Sequence, residues 1–267
     1  MASTHLSKKR ILIIGKTGVG KSSIIRYMGG VDNNEKKPTI SNKQRGETFE
    51  NTLYKNEEFI FADTIGFGET NLGGRPSNIM IKNLIVFLVN NNEGFNLVIY
   101  VIDNDRIDTY VKNTYQVIDS ILGPNIPKIL VRTGDTAAVG ELIPQDGLDE
   151  WKRENCTFMN GCRVSYANID QMIQENKPEI HIKVAQENIE ESNRKLQELI
   201  SLHSNTDAQR LYDPKTLPDR LKQTVTLVYK LWKLDETTLR STLCLALVVL
   251  KNTEKNIFVD SSTLYML

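Results

Sequence analysis

Short apolar runs recur along the first half of the chain, and polar or amphipathic segments separate them. The runs have the continuous apolar character of strands that are buried on both faces of a sheet. They cover residues 11–14, 59–61, 97–102 and 128–131. Strands of this kind that alternate with helices predict an α/β fold, a doubly wound and mostly parallel sheet with ligands at the carboxyl ends of the strands.

Helical periodicity is found between these runs. The segment 23–28 follows the first strand as a predicted helix, and a second, mostly apolar helix is predicted from Ser77. A third amphipathic helix ends at Gly123-Pro124. Its apolar face consists of Ile107, Val111, Ile118, Ile121 and Leu122. Segments 47–54 and 57–62 flank the turn-like Lys55-Asn56 and predict a β-hairpin.

Apolar residues at spacings of three, four and seven continue in the charged segment after Pro178. The set is Ile182, Ala185, Ile189, Leu196 and Leu199, with Ser192 interrupting it. It fits either a coiled-coil surface or an amphipathic helix folded back on the sheet, and a repeat of only about three heptads favours the second. Segments 221–232 and 239–250 predict further helices. We therefore divide the chain into an α/β domain, 8–205, and a helical C-terminal extension, 206–267.

Composition and charge argue against several classes of binding partner. Lys and Arg total 33, as do Asp and Glu, so no global field favours nucleic acid, and peripheral membrane contact is a minor alternative for the C-terminal helices. The first apolar run is too short for a signal peptide, and residues 243–250 are too few to span a bilayer. Cys156, Cys162 and Cys244 match no zinc or disulfide pattern. These features predict a cytoplasmic protein with reduced thiols and no transmembrane segment.

The stretch GKTGVGKS, from Gly15 to Ser22, has the spacing of a phosphate-binding loop and lies between a predicted strand and a predicted helix. Glycines let the backbone approach a phosphate, and N–H groups at the start of the helix face the anion. The residues predicted to bind the nucleotide here are Gly15, Lys16, Thr17, Gly18, Val19, Gly20, Lys21, Ser22 and Ser23. Lys21 is placed to reach the β- and γ-phosphates, and Ser22 to ligate the Mg²⁺ that bridges them.

A second motif, Asp63-Thr64-Ile65-Gly66, has the D-x-x-G pattern at the end of the next strand. We expect the carboxylate to hold Mg²⁺ through water and the glycine N–H to contact the γ-phosphate. The polar segment 31–45 predicts a switch loop in which Thr39, or alternatively Ser41, completes the metal shell. The predicted catalytic residues are therefore Lys21, Thr39 and Gly66, and the predicted metal ligands are Ser22, Thr39 and Asp63.

A carboxylate follows the strand at 128–131 and has a specific use. Guanine presents N1–H and its 2-amino group side by side, and one aspartate accepts from both, whereas adenine offers no such pair. Asp135 is the predicted base contact, and Thr133 is assigned to the same site. The motif reads R-T-G-D where a small GTPase reads N-K-x-D, which makes the preference for guanine less secure.

Four stretches together resemble the immunity-associated GTPases of the AIG or GIMAP type, relatives of septins and Toc receptors. They are GKTGVGKSS, DTIGFGE, the run LVIYVIDNDRID with Arg106, and the T-G-D after the next strand. The similarity covers roughly residues 8–205. It implies a P-loop NTPase G domain that binds GTP or GDP with Mg²⁺ and self-associates through this domain. It also implies that Asn160 contacts guanine, with 163–167 as a rival location, and that Arg106 positions a switch or a partner subunit, unless it forms a structural ion pair.

Two functions remain open. The first is a guanine-nucleotide switch that hydrolyses GTP slowly, because Phe67 stands where Ras-like enzymes carry the glutamine that orients water. The second is a non-catalytic assembly module that nucleotide stabilises, which Phe67 and the altered base motif favour. Intact Lys21, Ser22 and Asp63 favour retained chemistry. A nucleotide kinase is disfavoured because the chain has no arginine-rich lid.

Overall fold

The computed structural model describes much of the 267-residue chain, from residue 8 to residue 231 with gaps. The described residues are 8–39, 51–64, 66, 83–84, 86–88, 91, 93–104, 106–107, 109–123, 125–134, 136–205, 207–208, 223–224, 226–228 and 230–231. The strands within them are β1 (Lys9–Gly15), β2 (Thr52–Lys55), β3 (Phe59–Asp63), β4 (Leu97–Ile102), β5 (Lys128–Thr133) and β6 (Asn160–Val164). The helices with defined bounds are α1 (Lys21–Tyr27), α2 (Thr109–Leu122), α3 (Gln145–Arg153), α4 (Ile169–Gln174) and α5 (Glu179–His203).

The six strands form one sheet in the order β2-β3-β1-β4-β5-β6. Only β2 is antiparallel to its neighbour; the other four pairings are parallel. Parallel strands bring their carboxyl ends to one edge, and β1 lies where the chain order reverses, with β3 on one side and β4 on the other. Such a reversal opens a crevice for a ligand at the carboxyl edge. The predicted doubly wound, mostly parallel α/β fold is confirmed.

Both faces of the sheet are buried, which explains the continuous apolar runs. Alternate residues of β1 show this: Leu12 and Ile14 belong to one core cluster, and Ile11 and Ile13 belong to the other. The first cluster takes in α2, α3 and helical residues 84, 88 and 228, and the second takes in α1 and α5. Each fully buried Ile or Leu adds about 1.5–3 kcal/mol through lost water contact.

Helix α5 lies against the sheet. Its residues Leu196, Leu199 and Ile200 are buried in the second cluster, and Ala185 and Ile189 are also buried. The fold-back interpretation of this helix is therefore confirmed, and its apolar face is not available to a coiled-coil partner. Among the described residues, no helix is long and apolar enough to cross a membrane.

Three elements were not predicted from the pattern: β6, α3 and α4. Strand β6 is short and carries polar residues at Asn160 and Arg163, so it lacks the apolar run of the central strands. The predicted hairpin forms, but β2 includes Lys55, and the Asn56 side chain closes the turn by accepting from the N–H groups of Glu58 and Phe59. Residues 47–50 and 239–250 lie outside the described residues, and of the helix predicted from Ser77 only 83–84 and 86–88 are described, as helical.

Candidate functional site

The phosphate-loop sequence connects β1 to α1 at the carboxyl edge of the sheet. Gly20 directly precedes α1. Its φ of 92° is a left-handed backbone conformation that residues other than glycine rarely adopt. The Val19 side chain is buried beneath the loop. The loop therefore has the strand-to-helix placement that the motif requires, and its predicted residues, 15–23, run from the end of β1 through the loop into the start of α1.

Lys21 is the first residue of α1, and its side chain folds back over the loop. The ammonium group donates to the carbonyl of Gly15 at 3.2 Å and to the carbonyl of Lys16 at 2.8 Å. Only 5% of the residue is exposed. A buried cation held in this way places a positive charge beside the loop backbone, where it can pair with a bound phosphate group.

Asp63, the last residue of β3, is 1% exposed and faces the start of α1. Its Oδ2 accepts a 2.7 Å hydrogen bond from the Ser22 hydroxyl. Its Oδ1 is buried and has no hydrogen-bond partner among the described residues. Burial raises the pKa of this carboxyl group, although the charge of Lys21 and the bond from Ser22 act in the opposite direction.

The donor set fits Mg²⁺. This cation prefers hard oxygen ligands and takes one or two protein groups together with phosphate oxygens and waters. The uncommitted Oδ1 of Asp63 and the adjacent Ser22 hydroxyl are oxygen donors of that kind. The part of the chain that the structure describes has no cluster of three or more His, Cys, Asp or Glu that would hold a metal unaided.

Gly66 joins the second motif to the phosphate loop. The Thr17 hydroxyl donates to the Gly66 carbonyl at 2.9 Å, and a Cβ at Gly66 would overlap the Cα, N and Oγ1 atoms of Thr17. Because of this close approach, only glycine fits at position 66. Ser22, Asp63, Thr17 and Gly66 thus bring the two motifs into direct contact.

Thr133, the last residue of β5, supports the same loop. Its hydroxyl donates to the carbonyl of Val19 at 2.7 Å and lies 3.2 Å from the carbonyl of Ile102. Its side chain also contacts the position where Gly20 would carry a Cβ. The sequence assigns Thr133 to the nucleotide site, and in the structure its hydroxyl binds loop backbone. Its contact with nucleotide stays a prediction.

The prediction for Asn160 is wrong. Asn160 is the first residue of β6 and pairs with Ile129, near the start of β5, so it lies at the amino edge of the sheet. The phosphate loop lies at the opposite edge, and four residues of extended strand span about 13 Å. The family motif has its asparagine after a strand, whereas in this chain β6 begins at Asn160. The rival location, 163–167, contains the end of β6, where Val164 pairs with Thr133.

Several contacts fix the segment 165–168 that follows β6. The Ser165 N–H donates to the hydroxyl of Ser192 in α5 at 2.9 Å. The Tyr27 hydroxyl donates to the Ala167 carbonyl at 2.5 Å, and the Tyr27 and Tyr166 rings stack with centroids 5.7 Å apart. No motif marks these residues. The interruption at Ser192 in an otherwise apolar stripe was the single available signal, since a buried hydroxyl needs a partner.

Other predicted residues are not joined to the site. Thr39 is exposed, and no hydrogen bond links it to the site within the described residues, so its metal role stays a prediction. The preceding carbonyl, of Pro38, accepts from Arg26 at 3.2 Å. Arg106 lines a small cleft beside the loop, together with Lys16. Ser41, Phe67 and Asp135 lie outside the described residues.

Residues 10–133 match the model of a P-loop GTPase family described as 50S ribosome-binding GTPase. The matched range is a little under half of the chain and runs from β1 to the end of β5, so it contains the phosphate loop, Asp63 and Gly66. This part of the chain is thus similar to GTPases. The match does not identify a GTPase subfamily, so the AIG type stays a prediction. No curated protein sequence matches the chain.

Solved structures with some likeness include Era, crystallised with MgGDPNP and nucleotides 1506–1542 of 16S ribosomal RNA. It is 17% identical over 83% of this chain and 67% of its own, with a TM-score of 0.44. A variant of SsGBP is 14% identical over 73% and 57%, with a TM-score of 0.42. Elongation factor SelB from Methanococcus maripaludis, with the GTP analogue GppNHp, is 15% identical over 68% and 35%, with a TM-score of 0.33. The chain thus covers 57% of SsGBP and 35% of SelB, and likenesses at this level carry no conclusion about its ligand.

Proposed function

We propose that this protein binds GTP and GDP together with Mg²⁺ and hydrolyses GTP slowly. The observation that carries the proposal is the arrangement around Asp63. A fully buried carboxylate keeps one oxygen without a partner, next to the Ser22 hydroxyl. Folding leaves a buried acceptor unpaired only at a cost of about 1–3 kcal/mol, which a bound cation would offset. The match of residues 10–133 to a GTPase family supports the same ligand class.

Each phosphate-side residue has a specific task in this proposal. Lys21 neutralises charge on the β- and γ-phosphates, Ser22 and Asp63 hold Mg²⁺, and the Gly66 N–H contacts the γ-phosphate. Thr39 closes over the metal when the γ-phosphate is present. Mg²⁺ held by Ser22 and Asp63 would supply positive charge that stabilises the transferring phosphate group. Phe67 cannot orient a water molecule by hydrogen bonding, so we expect slow turnover.

The base side of the proposal rests on Asp135 as the acceptor for the guanine N1–H and 2-amino groups. With Asn160 at the wrong edge of the sheet, the second base contact passes to the rival segment, 163–167. The parallel register supports this choice, since Val164 lies beside Thr133, two residues before Asp135.

The subfamily and the assembly state belong to the proposal as well. The stretches GKTGVGKSS, DTIGFGE and LVIYVIDNDRID support an AIG- or GIMAP-type G domain over 8–205 that self-associates when nucleotide is bound. Residues 206–267 would form the helical extension. The buried, free thiols of Cys156 and Cys162 are compatible with the reducing cytoplasm as its compartment.

An equilibrium titration tests the proposal. GTP, GDP and ATP are titrated into the protein with Mg²⁺ and with EDTA, and the mass of each complex is measured by light scattering. We expect GTP and GDP to bind more tightly than ATP, with Mg²⁺ strengthening GTP binding. Equal affinity for ATP would refute the preference for guanine, and an unchanged monomer mass with GTP would refute nucleotide-linked assembly.

The second function is an assembly module that binds nucleotide without hydrolysing it, which the aromatic side chain of Phe67 favours. Single-turnover release of phosphate from GTP separates the two functions. The enzyme predicts slow release that rises with protein concentration. If even concentrated protein releases no phosphate while GTP stays bound, the assembly module is the correct function.

A further inference from the structure

Two tyrosines hold the chain on either side of β6 by the same chemistry. At the amino end, the hydroxyl of Tyr115 in α2 donates to the Thr157 carbonyl at 2.9 Å and accepts from the Thr157 N–H at 3.0 Å. At the carboxyl end, the hydroxyl of Tyr27 donates to the Ala167 carbonyl at 2.5 Å and accepts from the Ile169 N–H at 3.3 Å. The two sites differ in which end of β6 the held segment adjoins.

The carboxyl edge is the one that carries the proposed nucleotide site. Val164 pairs with Thr133, whose hydroxyl binds the phosphate loop at Val19. The segment 165–168 therefore leaves the sheet beside the end of β5, at the edge where an α/β sheet binds its ligand. A purine attached to phosphates in the loop would extend toward this segment.

Helix α1 connects the phosphate loop to this segment. It begins at Lys21, at the carboxyl edge, and runs about 10 Å back toward the amino edge to Tyr27, whose side chain reaches Ala167 and Ile169. Helix α5 also contacts Tyr27 and Tyr166, through Asn193. The Asn193 amide donates to the Tyr27 carbonyl at 2.9 Å, and its oxygen accepts from the Tyr166 hydroxyl at 3.0 Å.

We propose that Tyr27 is a positioning residue that holds segment 165–168 as a wall for the purine base, and so sets the base-dependent part of nucleotide affinity. This inference rests on the proposed guanine-nucleotide site. Tyr27 touches no nucleotide itself; it acts through the Ala167 carbonyl and the Ile169 N–H. A purely structural tyrosine would change stability but not the contribution of the base.

The test compares Tyr27→Phe with Tyr115→Phe, which loses an equivalent pair of hydrogen bonds at the other end of β6. GDP and inorganic pyrophosphate, each with Mg²⁺, are titrated into both variants and the wild-type chain. We expect Tyr27→Phe to weaken GDP binding about three- to tenfold and to leave pyrophosphate binding unchanged. This is the range for a single hydrogen bond, because the lost pair acts on the base only through segment 165–168. Tyr115→Phe should change neither affinity.

A second variant guards against a folding defect in the first. Asn193→Ala removes the amide that braces Tyr27 and Tyr166 while keeping both rings, and we expect a smaller loss in the same direction. The inference is overturned if Tyr27→Phe weakens GDP and pyrophosphate equally, if it weakens neither, or if Tyr115→Phe weakens GDP as much. Absence of GDP binding by the wild-type chain would overturn the proposed function and this inference together.

Discussion

The phosphate side and the base side of the proposed site are assembled over very different distances along the chain. On the phosphate side, Lys21 contacts carbonyls five and six positions away. On the base side, Tyr27 contacts Ala167 across 140 positions and Asn193 across 166. The centre of the first side is one continuous loop, to which Asp63, Gly66 and Thr133 add contacts across 41, 49 and 114 positions. The second side exists only once α1, β6 and α5 have packed together.

This difference has a consequence for how substitutions act. A change in the phosphate loop alters groups that would touch the ligand, so we expect large effects on affinity. A change on the base side removes one contact between elements. The other hydrogen bonds there remain, because Tyr27, Tyr166, Asn193 and Ser192 each form a separate one. The base side should therefore lose affinity in smaller steps.

The largest expected effect on affinity comes from Lys21, and the other lysine of the loop, Lys16, is its control. Lys21→Ala should weaken GDP binding about 100-fold, because a buried, charged hydrogen-bond donor to phosphate is lost. Lys16→Ala is the matched control, since the structure uses its backbone carbonyl as the acceptor for Lys21. We expect less than about a threefold change there. Competition against a fluorescent GDP measures both, and equal losses in the two variants would contradict the account.

Asp63→Asn should act more narrowly. The substitution keeps an acceptor for Ser22 but removes the charge, so we expect the gain in GTP affinity from Mg²⁺ to fall about tenfold and the affinity in EDTA to stay the same. Burial raises the pKa of Asp63, which means that its charge destabilises the ligand-free protein at neutral pH. The Asp63→Asn variant should therefore melt at a higher temperature than the wild-type chain without ligand. A lower Tm would show that the carboxylate is needed for folding instead.

The smallest effect on ligand affinity is expected for the thiols near β6, whose titration acts on stability alone. Burial raises the pKa of Cys156 and of Cys162 from 9.0 to about 12, so the folded protein keeps their protons where the unfolded chain loses them. Their contribution to stability is complete below pH 9 and is lost between pH 9 and about pH 12. Urea unfolding should show that the free energy of unfolding falls as the pH rises through that range, by at most about 1.4 kcal/mol per pH unit for one thiol. In Cys162→Ala the slope should be shallower, and an identical slope would show that Cys162 is not buried.

The same difference in distance explains what the sequence could predict. The buried strands, the doubly wound sheet, the phosphate loop and Asp63 follow from contiguous letters and their spacing, and the structure places them as expected. Segment 165–168 could not be assigned to a role because its partners, Tyr27 and Asn193, carry no pattern that pairs them. Asn160 was misplaced for a related reason: β6 is too short and too polar for its bounds to be read from hydrophobicity.

The contact by which Thr133 supports the phosphate loop also could not be predicted from the sequence. Its position at the end of β5 predicts a residue near the ligand, but its bond to Val19 depends on how far β5 extends beside β4. Predicted strand 128–131 ends two residues before the observed β5. An error of two residues in a strand is enough to change which side chain reaches the loop.

The most direct test of the two-sided account plots GDP affinity against pyrophosphate affinity for the wild-type chain, Thr133→Val and Tyr27→Phe. Thr133→Val removes the hydroxyl that holds the Val19 carbonyl, so the account predicts that both ligands weaken by the same factor, about three- to tenfold. Tyr27→Phe should weaken GDP alone. If both variants weaken the two ligands by one common factor, the two sides of the site are not separable and the account is wrong.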